Sequence, residues 1–328
     1  MLRRHLLSLG PGERWAVSAA LCYAGTNLFL RASAVSADPT VAAILRLAPV
    51  ILLAWSLTFW KRRNNELNPR SIEFGGWIVL RTLVLSGAAS YFVGNNSYQL
   101  ALRFGGINAT VPVVQSASLW GGIILGAIFL QEHFKRKVVW GGLIVVAGLT
   151  VLTLGRAGEV MPEWYLALPF AAVAGLSYAT ANLLMRRAYR TGITQLPALA
   201  VNTSGGMVIL LVTLVLRNGL GILAATPPQT VISLLAAGVF NAGALFSLSR
   251  ALTVTTSGRV NSINTGSIAI STFFAAILFN EPLTLPIAAG IVLIISGIVL
   301  VQRYIAPAQP RGETTELPMA TSPRREQA

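Results

Sequence analysis

LCYAGTNLFLR, from Leu21 to Arg31, recurs as LSYATANLLMR from Leu176 to Arg186. Six of the eleven positions are identical at a constant offset of 155 residues. An internal repeat of this kind indicates that one structural unit is present twice. We therefore expect the 328 residues to fold as two related halves.

Further matches extend the repeat towards the end of each half. Ala101-Leu102 matches Ala251-Leu252 at an offset of 150, and a glutamate followed by two glycines recurs at an offset of 149. The internal spacings of nine and seven residues are the same in both copies: Glu132, Gly141 and Gly148, and Glu281, Gly290 and Gly297. We expect these glycines to allow close contact between helices.

The composition excludes a soluble globular protein. Charged residues make up 11% of the chain, whereas typical soluble domains have about 25%. Apolar residues make up 54%, and the formal net charge is +14. A single cysteine, Cys22, excludes a disulfide framework, and two histidines, His5 and His133, are too few for a multi-histidine metal site. We expect no metal and no other cofactor, and the lack of a Walker pattern argues against direct use of ATP.

Ten apolar stretches approach the roughly 20 residues that a helix needs to cross a bilayer core. They lie at about 15–31, 39–60, 77–102, 107–130, 138–155, 164–185, 195–216, 231–251, 260–280 and 283–302. Segments such as Leu143 to Leu149 are apolar throughout, whereas the strands of a membrane barrel alternate in polarity. The sequence therefore predicts an all-α integral membrane protein with ten transmembrane helices.

The basic residues alternate between the two ends of these helices. Nineteen Lys and Arg fall in loops that are cytoplasmic if the N-terminus is inside, and four fall in the opposite loops: Arg31, Arg103, Arg156 and Arg217. Basic residues favour the cytoplasmic side. We therefore expect a multi-pass protein of the plasma (bacterial inner) membrane with both termini in the cytoplasm. The positive charge then faces anionic lipid, so nucleic-acid binding is an unnecessary interpretation.

The helix count determines how the halves are related. Because five helices per half is an odd number, the second half enters the membrane from the opposite side, and the halves are inverted repeats. We predict a cytoplasmic N-terminus at 1–14, a first five-helix repeat at 15–155, a second five-helix repeat at 164–304, and a disordered cytoplasmic tail at 305–328.

This combination of features resembles the EamA-type unit of the drug/metabolite transporter superfamily. The resemblance runs from about residue 12 to 305 and is carried by Asp38-Pro39 followed by Arg46, by Pro112, and by the repeated glutamates and glycines. One departure is Asn261, which stands where a second copy of Pro112 would map. The resemblance implies a secondary transporter that moves small metabolites by alternating access, with a central cavity formed by the two halves.

Two arginines lie inside predicted helices. Arg46 is about seven residues into the second helix, roughly 10 Å below the outer surface at 1.5 Å per residue. An intramembrane arginine indicates a functional site unless it snorkels to the interface or bonds a helix carbonyl. Arg81 lies one turn from Trp77 at the inner boundary, where snorkelling is the better interpretation. We therefore take Arg46 as a candidate substrate-binding residue.

No Asp or Glu falls within any of the ten stretches. Since proton-coupled exporters of cations generally need an embedded carboxylate, the sequence favours a neutral, zwitterionic or anionic, amino-acid-like substrate. Besides Arg46, the candidate substrate-binding residues are polar side chains within the helices: Tyr23, Asn27, Asn95, Gln115, Tyr178, Asn182, Asn241 and Asn264. The alternative interpretation is that these side chains link neighbouring helices by hydrogen bonds.

Glu132 and Glu281 each come just before the next helix. A carboxylate there offsets unpaired backbone N–H groups and the positive end of the helix dipole, so we expect a structural helix-capping role and no catalytic residue. Two other functions stay open, namely a membrane-embedded enzyme acting on lipid-linked substrates and a receptor or scaffold that does not transport. As partners we expect a small-molecule substrate and membrane lipid, no nucleic acid, and a monomer or homodimer.

Overall fold

The computed structural model describes residues 10–33, 38–64, 76–132, 134–154, 164–217, 219, 221–278 and 283–305. In chain order the helices are α1 (Pro11–Ser33), α2 (Pro39–Arg63), α3 (Trp77–Gly87), α4 (Asn95–Leu130), α5 (Lys137–Leu154), α6 (Trp164–Arg190), α7 (Gln195–Arg217), α8 (Gly221–Ala224), α9 (Pro228–Val254), α10 (Ser257–Leu278) and α11 (Leu285–Tyr304). A π-helical segment, Ala88–Gly94, joins α3 to α4. The elements of regular secondary structure in these ranges are all helices, as the sequence predicts, and one isolated β-bridge joins Phe134 to Ile305.

Nine stretches of the described residues are long and apolar enough to cross a membrane, and α4 contributes to two of them, Trp77–Phe104 and Thr110–Leu130. The tenth predicted helix is α1, which has 23 residues but is less apolar because it carries residues such as Tyr23 and Asn27. α1 packs against α9 and α10, so its polar side chains have neighbours within the protein. The predicted membrane fold of two five-helix repeats is confirmed.

The two spans that share α4 run along α6 in opposite directions. Its partners on α6 are first Tyr178, then Phe170 and finally Arg190, which contact Gly94, Phe104 and Leu130 in that order. The contacts therefore move along α6 in one direction up to Phe104 and in the other direction from Val114 onwards. Ala101 and Val114 accordingly pack in one cluster with α6.

The contacts between helices follow the repeat. α1 packs against α9 and α10, and α6, its counterpart in the second half, packs against α3, the π-helical segment and α4. α2 packs against α9 in the same way that α7 packs against α3, and α5 packs against α11. Each of these pairs joins one half to the other. The two repeats are therefore interlocked through the bundle.

The repeated glycines form the contact between α5 and α11. A Cβ added at Gly148 would lie 2.7 Å from the backbone nitrogen of Ile294 and 3.0 Å from the carbonyl oxygen of Gly290. A Cβ added at Gly297 would lie 2.8 Å from the carbonyl oxygen of Gly141. The two helices approach so closely that only glycine fits, which is the role that their spacing predicts.

Exposed basic side chains gather at one end of the bundle, where α1 begins and α2, α6, α9 and α11 end. We name this end the basic face; its described and exposed basic residues are Arg14, Arg62, Arg63, Lys135, Arg136, Lys137, Arg187, Arg190, Arg250 and Arg303. At the opposite end Arg103 and Arg217 are exposed, whereas Arg156 lies outside the described residues. The assignment of the basic face to the cytoplasm stays a prediction.

Candidate functional site

Arg46 of α2 lies among four tyrosine side chains. The guanidinium interacts electrostatically with the phenols of Tyr23 on α1, Tyr91 in the π-helical segment, Tyr98 on α4 and Tyr178 on α6. All five side chains are half-buried. These residues, which we name the Arg46 cluster, come from both halves of the chain and from both copies of the repeated motif.

The backbone around Arg46 is held from two sides. α2 begins seven residues earlier, where the side chain of Asp38 accepts hydrogen bonds from the backbone N–H groups of Thr40 (2.8 Å) and Val41 (3.3 Å). α9 packs closely against α2 at this point, since a Cβ added at Gly238 would lie 3.0 Å from the carbonyl oxygen of Arg46. The turn that carries Arg46 is therefore fixed by an N-cap and by a close helix contact.

Asn95 shares a helix face with two tyrosines of the cluster. Tyr91, Asn95 and Tyr98 are spaced by four and three residues, which places them on one side of the helix. Asn95 is buried, and its Nδ2 atom has no hydrogen-bond partner among the described residues. The π-helical turn that carries Tyr91 ends immediately before Asn95, and such turns are frequent at functional sites. This face presents an unused N–H donor beside the cluster.

The Arg46 charge has no protein counter-charge in the part of the chain that the structure describes. The ion pairs found there are Arg186 with Glu132 and Arg259 with Glu13. A guanidinium has five N–H donors and no acceptor, and an uncompensated charge inside a bilayer is costly. The cluster is therefore rich in donors, carries a net positive charge and is complementary to an anion.

Asn182, which repeats Asn27, is engaged elsewhere. Its Nδ2 atom donates to Oδ1 of Asn261 on α10 over 2.6 Å, and Nδ2 of Asn261 donates to the Ser118 carbonyl on α4 over 3.4 Å. These bonds link three helices. Asn182 thus links neighbouring helices by hydrogen bonds, as the alternative interpretation of these polar residues expects. Its contact with substrate stays a prediction.

The remaining predicted site residues lie on several helices. Asn27 and Gln115 are half-buried on α1 and α4, and Asn241 is buried on α9. Asn264 is half-buried on α10, and its Oδ1 atom has no hydrogen-bond partner among the described residues. Their contact with substrate stays a prediction.

Glu132 forms a buried network at the basic face. Its carboxylate accepts hydrogen bonds from Nε of Arg186 (2.6 Å), the backbone N–H of Ser257 (3.3 Å) and Oγ of Ser257 (3.2 Å). Arg186 also donates to the carbonyl oxygens of Leu252 (2.8 Å) and Thr255. Only 6% of the Arg186 side chain and 8% of the Glu132 side chain are exposed. We name Glu132, Arg186 and Ser257 the Glu132 latch.

This geometry corrects the expected partner of Glu132. We expected its carboxylate to cap the helix that follows it, α5, but the bonds described here reach Ser257 at the start of α10 and Arg186 at the end of α6. The reason is that α10 belongs to the other half and packs against the end of α4. Glu281 lies outside the described residues.

Other bonds at the basic face also join the halves. Arg259 of α10 forms an ion pair with Glu13 of α1, and Nη1 of Arg190 donates to the Leu130 carbonyl over 2.9 Å. The backbone of Lys135 donates to that of Tyr304 over 3.4 Å. The helix ends at this face are therefore held together by polar contacts between the two repeats.

Three of the five residues of the Arg46 cluster were predicted from the sequence, and two were not. Arg46, Tyr23 and Tyr178 were expected and are brought together, whereas Tyr91 and Tyr98 were not singled out. Their spacing relative to Asn95 was a usable signal. Arg81 is exposed on α3, and the interpretation that its charge reaches the interface stays a prediction.

Comparisons with known proteins agree with this architecture. A solved crystal structure superposes with a TM-score of 0.73 at 15% sequence identity, covering 89% of this chain and 96% of its own, which shows a shared fold. No curated protein matches the sequence significantly. The model of the EamA-like transporter family matches residues 10–154 and again residues 165–303. Because these two matches cover most of its length, the chain belongs to the EamA-like transporter family, and it is a multi-pass membrane transporter of the drug/metabolite transporter superfamily.

Proposed function

We propose that the protein moves a small, carboxylate-bearing metabolite of about the size of an amino acid across the membrane, with the carboxylate bound by Arg46. The observation that carries the proposal is the Arg46 guanidinium, which lies among four phenols and has no carboxylate partner among the described residues. An arginine that is kept in a bilayer without a counter-charge calls for a ligand that supplies one.

The donors around Arg46 fit a carboxylate in number and kind. A guanidinium binds a carboxylate through two parallel N–H bonds, and such charge-assisted bonds are worth roughly 1.5–3 kcal/mol each. The unpartnered Nδ2 of Asn95 adds a neutral donor, and the tyrosine hydroxyls add others. The phenol rings also provide apolar surface for the carbon skeleton of a small metabolite.

Alternating access fits the arrangement of the repeats. Inverted repeats allow two conformations of opposite orientation, each giving one side of the membrane access to a site near the midplane. At the basic face the halves are joined by the Glu132 latch and by the Arg259 ion pair. We propose that this conformation closes the basic face and that substrate reaches Arg46 from the opposite side.

The membrane and its orientation follow from charge. We propose the plasma (bacterial inner) membrane, with the basic face and both termini in the cytoplasm, because basic residues are retained on that side. In this orientation the segments 1–14 and 305–328 flank the repeats 15–155 and 164–304 on the cytoplasmic side. Reporter fusions after Arg63 and Arg190 should report cytoplasm, and a fusion after Arg217 should report the exterior.

Uptake into liposomes tests the proposal. Purified protein is reconstituted and offered radiolabelled lactate, glycerate, pyruvate, alanine or serine, with lactamide and glyceramide as uncharged analogues of the same shape. We expect uptake of at least one carboxylate above that of protein-free liposomes and no comparable uptake of its amide. Binding of a carboxylate without flux would indicate a receptor, and the absence of both would contradict the proposal.

A further inference from the structure

We infer that this transporter is an exchanger: it crosses between its two conformations with a bound anion and returns only when it carries another. The inference rests on the proposed function, since it assumes a carboxylate on Arg46. It adds the mode of transport and the net charge of the preferred substrate, which the binding site alone does not specify.

The empty site carries a positive charge that nothing described in the protein neutralises. In the empty transporter the Arg46 guanidinium has no carboxylate partner in the described residues, so water must compensate for its charge. To change conformation, an alternating-access protein passes through a state in which the site is closed to both sides. In that state the charge has lost bulk water and lies in a medium of low dielectric constant, where it is costly.

Among the described residues, no carboxylate compensates for the charge of Arg46. The phenols of Tyr23, Tyr91, Tyr98 and Tyr178 are uncharged groups, and the ten predicted membrane stretches contain no Asp or Glu. The three described carboxylates are engaged elsewhere. Glu132 is bound to Arg186 and Ser257, Glu13 is paired with Arg259, and Asp38 accepts hydrogen bonds from the backbone N–H groups at the start of α2. Closure of the empty site therefore carries the full cost of an unpaired arginine.

A bound monoanion removes this cost. The complex of Arg46 with a monocarboxylate is neutral and keeps the guanidinium donors bonded while the site is closed. A zwitterion such as alanine also pairs with Arg46 but adds an ammonium group to a site that lacks a carboxylate, so the positive charge persists. The preferred cargo is therefore a monocarboxylate without an ammonium group, and the loaded form changes conformation far faster than the empty form.

The ratio of exchange to net efflux tests this inference. Liposomes are loaded with the radiolabelled panel acid that is taken up fastest, and efflux is measured into buffer with or without the same unlabelled acid. Valinomycin and potassium clamp the membrane potential so that charge movement does not limit net efflux. For the wild-type protein we expect exchange on the order of 100-fold faster than net efflux, the factor that an unpaired intramembrane arginine implies.

Three variants separate the role of charge from loss of structure. Arg46→Gln removes the charge, so exchange and net efflux should proceed at similar rates even though affinity is weaker. Arg46→Lys keeps the charge and should keep a high ratio. Arg81→Gln removes an exposed arginine of α3 and should behave like the wild type. Thermal unfolding confirms that each variant is folded.

The possible outcomes decide between the claims. A wild-type ratio near one, or an unchanged high ratio in folded Arg46→Gln, would overturn the exchange inference and leave the proposed function intact. Faster exchange with alanine or serine than with lactate or glycerate would overturn the preference for a monoanion. If no panel acid crosses under either condition, the proposed function itself fails, and the exchange inference fails with it.

Discussion

Arg46 and Arg186 are two arginines of membrane helices in opposite surroundings. Arg186 is 5% exposed and bonds the Glu132 carboxylate and the carbonyl oxygens of Leu252 and Thr255. Arg46 is half-buried among neutral phenols, and no carboxylate pairs with it in the described chain. The difference shows that burial alone does not define a role. Satisfied donors indicate structure, whereas open donors indicate a ligand.

Breaking the Glu132 latch should have the largest effect of any change in this comparison. Arg186→Gln leaves the Glu132 carboxylate buried without its cation, and such a loss costs about 3–5 kcal/mol. We expect a much lower unfolding midpoint in detergent, measured by thermal denaturation. Arg187→Gln is the matched control because Arg187 is the exposed neighbour. Equal midpoints for the two variants would show that the latch is not structural.

Removing the Arg46 charge should weaken binding and leave stability intact. Arg46→Gln keeps one N–H donor for the carboxylate and deletes the other charge-assisted bond, worth roughly 1.5–3 kcal/mol, so the affinity for the transported acid should fall about 10- to 150-fold. Because no ion-pair partner is lost within the described residues, the unfolding midpoint should match that of Arg81→Gln. A large fall in the unfolding midpoint of Arg46→Gln would show that Arg46, like Arg186, stabilises the fold.

Removing one phenol hydroxyl from the cluster should have a smaller effect. Tyr91→Phe keeps the ring and loses a neutral hydrogen bond of about 0.5–1.5 kcal/mol, which corresponds to an affinity about 2- to 12-fold weaker. Titration of the same acid against both proteins measures this change. Tyr165→Phe is the control, since Tyr165 is exposed on α6. If both variants bind like the wild type, the Tyr91 hydroxyl does not contact the substrate.

Replacing the repeated asparagines, Asn27 and Asn182, should have the smallest effect on stability. Asn182→Ala loses the bond to Asn261, and such bonds between membrane helices average about 0.6 kcal/mol. Its unfolding midpoint should fall slightly, whereas that of Asn27→Ala should stay at the wild-type value. Paired thermal denaturation of the two variants in one detergent measures the difference. A larger fall in Asn27→Ala would reverse the assignment.

The sequence was sufficient for the fold because the fold depends on local composition. Apolar stretches separated by basic loops predict spans, and the match of Tyr23 and Asn27 with Tyr178 and Asn182 predicts the repeat. Arg186, in contrast, was counted among the loop residues, since a charge at the end of an apolar stretch has the pattern of an interface residue. Only the packing of Glu132, 54 residues away in the chain, shows that it is buried.

The site was predictable in part for a related reason. Arg46 stands out because a charge inside an apolar stretch is rare, and Tyr178 stands out because it repeats Tyr23. Tyr91 and Tyr98 do not stand out in this way. The sequence of an apolar helix does not show whether a tyrosine in it faces lipid or the interior of the protein. The π-helical turn at Ala88–Gly94 likewise has no pattern that the composition reveals.

The most direct test of Arg46 as the carboxylate-binding residue is the discrimination between an acid and its amide. Isothermal titration calorimetry measures the affinity of the wild-type protein and of Arg46→Gln for lactate and lactamide, and for glycerate and glyceramide. The ratio of acid affinity to amide affinity is then compared between the two proteins. We predict that the wild-type protein binds at least one acid about 10- to 150-fold more tightly than its amide, and that Arg46→Gln binds both with similar affinity. Retained discrimination in Arg46→Gln would contradict the account and place the carboxylate elsewhere.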